Sequence, residues 1–375
     1  MKIAADDKIP FLQGVLEPYA SIRYLPGNEF VREKIIDTDA IIIRTRTECN
    51  RNLLERTSVK FIASATIGYD HIDTAYCRNN QITWTNAPGC NASSVKQYVA
   101  SALVHLSRQF RFTLEGKTLG IIGVGNVGTK IESLARDLGI KVLLNDPPRA
   151  RNEGDEQFVN LSAILEQSDI ITLHVPLIHS GIDKTYRMVD ATFLGKMKNG
   201  SSLINTSRGK VVDEKALKEA LRSRHVKGVI LDVWDNEPSL DIDLLSMTCI
   251  GTPHIAGYSQ DGKANGTSAA VQSLSRYFNL DLHDWYPENI PQPANPEITI
   301  HCENKDTETV IGDAVLSSYP IDVDHRLLMD SPDQFEALRG NYPVRREFPA
   351  HAVELISGND KMINALKKLG FNIKT

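Results

Sequence analysis

The segment Leu119-Gly120-Ile121-Ile122-Gly123-Val124-Gly125-Asn126-Val127-Gly128 joins a short apolar run to the glycine pattern GxGxxG. Such a pattern is common in turns and says little alone. Here it closes an expected strand (119–122) and opens an amphipathic helix (127–138, ended by Gly139). A second expected strand (140–144) follows and leads to Asp146. Strand, glycine turn, helix, strand and then an acidic residue about 20 positions on is the context of a dinucleotide-binding fingerprint. Gly123 makes the tight turn, Gly125 lets a pyrophosphate approach the backbone, and Gly128 lets the helix pack on the strand. Asn126 and Val127 lie in the first helical turn, whose unpaired N–H groups suit an anion. Asp146 should accept hydrogen bonds from the adenosine ribose and repel a 2′-phosphate, which favours NAD over NADP. Arg149 is the nearby cation that could offset the repulsion.

The same alternation of β-branched runs with longer amphipathic stretches extends over the first 280 residues, as βα units around parallel sheets require. Strands are expected at 40–44 and 61–65 upstream, and at 170–173, 202–205 and 228–233 downstream. A helix over 94–110, with Val95, Tyr98, Val99, Ala102, Leu103 and Leu106 on one face, suits a bridge between two lobes. Another, about 266–280, would return the chain to the first lobe. Pro287, Pro291, Pro293 and Pro296 then form a semi-rigid connector. Beyond it stand a strand (297–302), helical stretches, a strand (352–356) and a final helix ending at Gly370. The expected fold is α/β: two Rossmann-like parallel-sheet lobes, for substrate and for NAD, plus a small C-terminal α+β domain. The expected boundaries are 1–93 completed by 258–285, 94–257, and 286–375.

With 375 residues, 41% hydrophobic and 24% charged, the composition is that of a globular protein of two or three domains. No apolar run reaches the roughly 18 residues of a membrane helix. Asp6 and Asp7 interrupt the N-terminus where a signal peptide needs apolar residues. A net charge of −5 and a pI near 6.1 argue against nucleic acid. The five cysteines are odd in number and form no CxxC pair, which points to a reducing cytoplasm and to no metal site.

Three residues follow the fingerprint near the carboxyl ends of expected strands, where ligands of open α/β sheets sit. They are Arg208 in Asn205-Thr206-Ser207-Arg208-Gly209, Glu237 in Asp235-Asn236-Glu237-Pro238, and His254 in Thr252-Pro253-His254-Ile255-Ala256-Gly257. Oxidising a 2-hydroxy acid requires a cation for the carboxylate, a base for the hydroxyl proton, and a group that tunes the base. The planar fork of Arg suits the first task. His titrates near neutral pH and suits the second. A neighbouring Glu would stabilise the imidazolium and raise its pKa. Cys90 is expected to be a small buried thiol, since hydride transfer needs no nucleophile.

With these segments the chain resembles the D-isomer-specific 2-hydroxyacid dehydrogenases. The resemblance rests on the GVGNVG turn, residues 205–209 with Val211-Val212-Asp213, Asp232-Val233-Trp234 leading to Glu237-Pro238, and Pro253-His254. A narrower likeness rests on Thr66-Ile67-Gly68-Tyr69-Asp70-His71-Ile72-Asp73, Ala87-Pro88-Gly89-Cys90-Asn91-Ala92, Asp146-Pro147-Pro148-Arg149-Ala150 and His254-Ile255-Ala256-Gly257-Tyr258-Ser259. It implies NAD-dependent oxidation of a small phosphorylated 2-hydroxy acid, 4-phospho-D-erythronate, with 3-phosphoglycerate or another D-2-hydroxy acid, or a non-enzymatic NAD-sensing scaffold, as alternatives. It implies Arg208, Glu237 and His254 as the catalytic set, with further NAD contacts at Thr206, Ser207, Arg208, Asp232 and Gly257. Substrate contacts are implied at Thr45, Thr66 and Tyr258, with Arg44 and Arg46 beside them, and a homodimer is implied through the C-terminal domain. A last expectation concerns Arg345 and Arg346 in Tyr342-Pro343-Val344-Arg345-Arg346-Glu347-Phe348. The pair is either a solvated basic turn or, on dimerisation, reaches the partner's substrate cleft.

Overall fold

The computed structural model describes residues 1–154 and 156–374. They fall into two compact units, Met1–Asn91 with Ser259–Pro291, and Ala92–Tyr258 with Gln292–Thr375.

The first unit is built on a five-stranded sheet, all parallel, of β1 (Lys2–Asp6), β2 (Ser21–Leu25), β3 (Ala40–Ile43), β4 (Phe61–Ser64) and β5 (Thr83–Thr85). Its order is β2-β1-β3-β4-β5. A parallel sheet is covered on both faces, so its central strands read as unbroken apolar runs. Ala40-Ile41-Ile42-Ile43 is such a run, and all four residues are buried. On one face Ile3, Ala5, Ile42 and Phe61 meet Ala270, Val271 and Leu274 of the helix Gln260–Phe278; on the other Ile41, Ile43 and Ile62 meet Leu53 and Cys77. That helix starts earlier than the expected 266 because the Ser259 hydroxyl caps it, accepting from the Gly262 N–H at 2.8 Å. β1 carries little strand signal in the sequence. Lys-Ile-Ala-Ala-Asp has low intrinsic strand propensity, and its pairing with β3 supplies what propensity lacks.

The second unit holds a six-stranded parallel sheet of β6 (Thr118–Ile122), β7 (Lys141–Asn145), β8 (Ile170–Leu173), β9 (Ser201–Asn205), β10 (Val226–Leu231) and β11 (Ile250–Gly251). The order is β11-β10-β9-β8-β6-β7. β10 stops two residues short of the expected Val233. Leu231 pairs with Asn205 at the end of β9, which leaves Asp232 and Val233 in the loop beyond the sheet edge. A separate three-stranded parallel sheet of β12 (Glu297–His301), β13 (Ala352–Ile356) and β14 (Asn372–Ile373) lies in the C-terminal segment. This segment shares its core with the NAD-type lobe. Val99 and Leu103 of the helix Ala92–Phe110, Leu134 of the helix Asn126–Asp137, and Val310, Ala314 and Leu366 of the C-terminal helices belong to one apolar cluster.

Candidate functional site

The glycine turn has the geometry its sequence demands. Gly123 takes φ +87, and a Cβ there would stand 2.5 Å from the His174 carbonyl oxygen. A Cβ on Gly128 would stand 2.1 Å from the carbonyl oxygen of Gly123, so strand and helix meet only through glycine. At Gly125, the N-cap of the helix Asn126–Asp137, a Cβ would meet nothing within 4 Å. That open space at a helix N-terminus fits a pyrophosphate. Asp146, at the tip of β7, faces the turn. Its Oδ2 accepts from the Val124 N–H at 2.8 Å, and its Oδ1 accepts from the Arg149 N–H at 3.1 Å, capping the helix Pro147–Glu153. Each carboxylate oxygen keeps a further lone pair for a ribose hydroxyl. The Arg149 guanidinium is paired with Glu153, both nitrogens of its fork on the two carboxylate oxygens at 2.5 and 2.8 Å, and donates to the Val124 carbonyl. Its charge is thus already matched.

Beyond β9 the turn is locked by Asn205. Its Oδ1 accepts from the Ser207 N–H and hydroxyl, while its Nδ2 donates to the Arg208 carbonyl. Thr206 meets the ring of His174, a residue that sequence reasoning passed over. Nδ1 of His174 lies 3.2 Å from the Thr206 hydroxyl, and Nε2 lies 2.9 Å from that of Thr172. Burial pushes the His174 ring down to about 3, so it stays neutral at physiological pH. The available signal was its place at the end of β8, beside the glycine turn.

Gly209 sets the next contact. A Cβ on it would lie 1.9 Å from the carbonyl carbon and oxygen of Trp234, so only glycine lets the Arg208 loop approach the loop that carries Glu237. Arg208 itself is half-buried. Glu237 and His254 are joined directly, His254 Nδ1 to Glu237 Oε2 at 2.7 Å, while Glu237 Oε1 accepts from the Trp234 N–H at 3.0 Å. Burial alone would raise the Glu237 carboxyl. The hydrogen bond and charge of His254, the Trp234 N–H and the nearby Arg339 guanidinium outweigh it and hold the carboxyl below its ordinary value. His254 sits at φ +56, the left-handed region, where a non-glycine residue needs its surroundings to hold it. Its N–H donates to the Asp232 carbonyl at 2.7 Å. The Asp232 side chain, 1% exposed, accepts from the Thr252 hydroxyl and the Ile255 and Ala256 N–H groups. Both its oxygens therefore serve the loop that carries His254, which ends at Gly257 and Tyr258.

In the first unit, Arg44 lies 3.3 Å from the buried Asp6 carboxylate, a partner that no local pattern announces. Thr45 and Arg46 are exposed just beyond β3. Thr66 follows β4, with its hydroxyl 2.8 Å from that of Ser64. Cys90 is half-buried rather than buried, and none of the five cysteines is in a disulfide among the described residues. Among the described residues no group of three or more His, Cys, Asp or Glu could hold a metal ion, and no helix is long and apolar enough to cross a membrane.

The expectation for Arg345 is overturned. It is 5% exposed, and its Nη2 donates to the Ala256 carbonyl of its own chain at 2.5 Å. Neither a solvated turn nor a reach to a partner's cleft describes it. The Pro-flanked loop reads as surface in sequence, but it packs against the 252–258 loop, a contact with no local signature.

Comparisons with known proteins give the family. The NAD binding domain of the D-isomer specific 2-hydroxyacid dehydrogenases matches residues 92–256, and a domain of unknown function matches residues 289–370. The chain is 47% identical to the erythronate-4-phosphate dehydrogenase of Bacteroides fragilis, over 94% of this chain and 99% of that one. It is 39% identical to the protein of the same name from Hahella chejuensis, over 100% of both. Among solved structures, the D-lactate dehydrogenase of Aquifex aeolicus complexed with NAD and lactic acid is 26% identical. The match covers 76% of this chain and 97% of that one, with a TM-score of 0.63. A fingerprint lobe followed by the paired His254 and Glu237, and relatives aligned over nearly the whole length, have one reading: the chain belongs to the D-isomer specific 2-hydroxyacid dehydrogenase family, on the branch of the erythronate-4-phosphate dehydrogenases.

Proposed function

We propose that the protein is an NAD-dependent oxidoreductase that converts 4-phospho-D-erythronate to 2-oxo-3-hydroxy-4-phosphobutanoate, a step of pyridoxal 5′-phosphate biosynthesis. The observation that carries this reading is the 2.7 Å contact between His254 and Glu237 beside the dinucleotide lobe. Glu237 occupies Nδ1 of the imidazole and leaves Nε2 for the substrate. Nε2 takes the C2 hydroxyl proton, and the ionised Glu237 balances the resulting imidazolium. Arg208 holds the C1 carboxylate through charge-assisted hydrogen bonds. NAD, when bound, supplies the acceptor for the hydride that leaves C2, so that C2 becomes a ketone. Gly123, Gly125, Asn126, Val127 and Gly128 would cradle its pyrophosphate, with Asp146 on the ribose and Thr206, Ser207, Asp232 and Gly257 nearer the nicotinamide end. Thr45, Thr66 and Tyr258 would contact the acid, and Arg44 and Arg46 would face its phosphate. The division of labour is a substrate lobe (1–93 completed by 258–285), an NAD lobe (94–257) and a C-terminal domain (286–375) through which a cytoplasmic homodimer forms.

NADH formation tests the reading. kcat/KM with 4-phospho-D-erythronate should exceed that with 3-phosphoglycerate by roughly 10–200-fold, the discrimination available from one carbon of substrate length. The reverse order would make the protein a 3-phosphoglycerate dehydrogenase, and no NADH with any 2-hydroxy acid would make it a scaffold.

Asp146→Ala should raise the KM for NAD by roughly 10–100-fold, the equivalent of about 1.5–3 kcal/mol for hydrogen bonds to a charged group. It should narrow the gap to NADP while leaving discrimination among acids unchanged. Because Asp146 also caps a helix, a loss of about 1 kcal/mol in stability should accompany the change. An unmutated protein that already prefers NADP would refute the ribose assignment.

A further inference from the structure

The C-terminal segment, matched by a domain of unknown function, touches the loop bearing His254 at three points. At the start of the loop, Nδ1 of His325 accepts from the Gly251 N–H at 3.0 Å. Two residues past His254, Nη2 of Arg345 donates to the Ala256 carbonyl at 2.5 Å. At the far end, Nη2 of Arg339 donates to the Tyr258 hydroxyl at 2.9 Å, and its guanidinium lies 5.4 Å from the centre of that ring. All three donors or acceptors come from residues 292–374, and all three targets lie within 251–258.

Arg345 is the most telling of the three. Its guanidinium lies 4.5 Å from the centre of the Tyr319 ring and 5.8 Å from that of Tyr342. The hydroxyls of both tyrosines donate to Oδ2 of the buried Asp324, each at 2.8 Å. On the opposite side of the loop, Asp232 holds the Ile255 and Ala256 N–H groups. The Ala256 peptide is thereby gripped at its N–H by Asp232 and at its carbonyl by Arg345. The Nε and Nη1 of Arg345 are buried without a hydrogen-bond partner among the described residues. Burying a cation with two of its nitrogens unpaired is costly, and the buried Asp324 and Asp232 nearby offset part of that cost. The one strong bond it makes falls on the loop whose His254 is held in the left-handed region.

We propose that Arg345 is a positioning residue for His254, and that the C-terminal segment serves the active site of its own chain by clamping the 251–258 loop. The clamp fixes the direction of His254 Nε2 toward the C2 hydroxyl, and so rests on the acid–base role assigned to His254 above. It gives a hydride-transfer enzyme a reason to keep a domain that contributes no reacting atom, independent of any role in assembly.

The test uses the full-length protein with NAD and 4-phospho-D-erythronate. Arg345→Met keeps the volume and removes the donor. It should stay folded but with lowered thermal stability, because the Ala256 carbonyl loses its donor and the buried Asp324 and Asp232 lose a neighbouring cation. NAD affinity should stay within about twofold, while kcat falls on the order of 10–100-fold, as small misplacements of a reacting group do. Arg345→Lys, which restores a cation and a donor, should recover part of the loss. In a His254→Ala background, Arg345→Met should cause no further fall, because there is no ring left to orient. A folded Arg345→Met with kcat within twofold of the unmutated protein overturns the proposal. So does a loss that persists undiminished once His254 is gone. Should Arg345→Met fail to fold, His325→Leu, which removes the acceptor at Gly251, carries the same comparison. No turnover by the unmutated protein would instead overturn the functional reading itself.

Discussion

His254→Ala should lower kcat by 10²–10⁴-fold, on the order of 2.7–5.5 kcal/mol of transition-state stabilisation, while NAD affinity barely changes. The size follows from the role proposed for the ring: with Glu237 on Nδ1, Nε2 would take the hydroxyl proton. The small effect on NAD follows from the separate position of the glycine turn and Asp146 on β6 and β7. Because His254 sits at φ +56, His254→Asn is the cleaner variant, since Asn tolerates left-handed backbone. Activity of that variant recovered only at high pH would mark proton transfer as the missing step. Near-normal kcat in either variant would remove His254 from the mechanism.

Gly209→Ala should be nearly as damaging, although Gly209 touches no reactant. The added Cβ would sit 1.9 Å from the carbonyl of Trp234, and those are backbone atoms that cannot rotate aside. Nor can the Trp234 segment retreat: the indole is 2% exposed, its Nε1 donates to the Thr252 carbonyl at 3.0 Å, and its backbone N–H is held by Glu237. Relief must come from displacing Arg208 on one side, or Glu237 and the His254 loop on the other. A loss of about 1–3 kcal/mol in stability is expected from the overpacking. A fall in kcat on the order of 10²-fold is expected from the misplaced groups. Thermal melting and kcat at saturating NAD measure the two effects separately. An intact kcat would mean that the two loops do not need this close approach.

Much of this architecture is local in origin and could be read from the chain alone. β3, β4 and β8 announce themselves as short, largely apolar runs, because a parallel sheet hides both faces. The dinucleotide turn is legible because its glycines answer steric demands made within a few residues, and because the acidic residue must follow at the tip of the next strand. Arg208, Glu237 and His254 could be singled out by residue type and by their place after strands. That His254 and Glu237 lie 2.7 Å apart is a tertiary fact.

What stayed hidden depends on partners distant in sequence. β1 has weak propensity and exists through pairing across the sheet. The Asp6 carboxylate that faces Arg44 lies at its end. Arg345 looked like surface because charge beside proline ordinarily is, yet the fold places it under the Ala256 carbonyl, 89 residues away in sequence. By itself the sequence determined the α/β class, the NAD lobe and the chemical types at the site, since backbone sterics and hydrophobic period act over a few residues. Only the tertiary structure decided which charges are already matched and which side chains hold the His254 loop. Those depend on burial and on contacts between segments that no local pattern records.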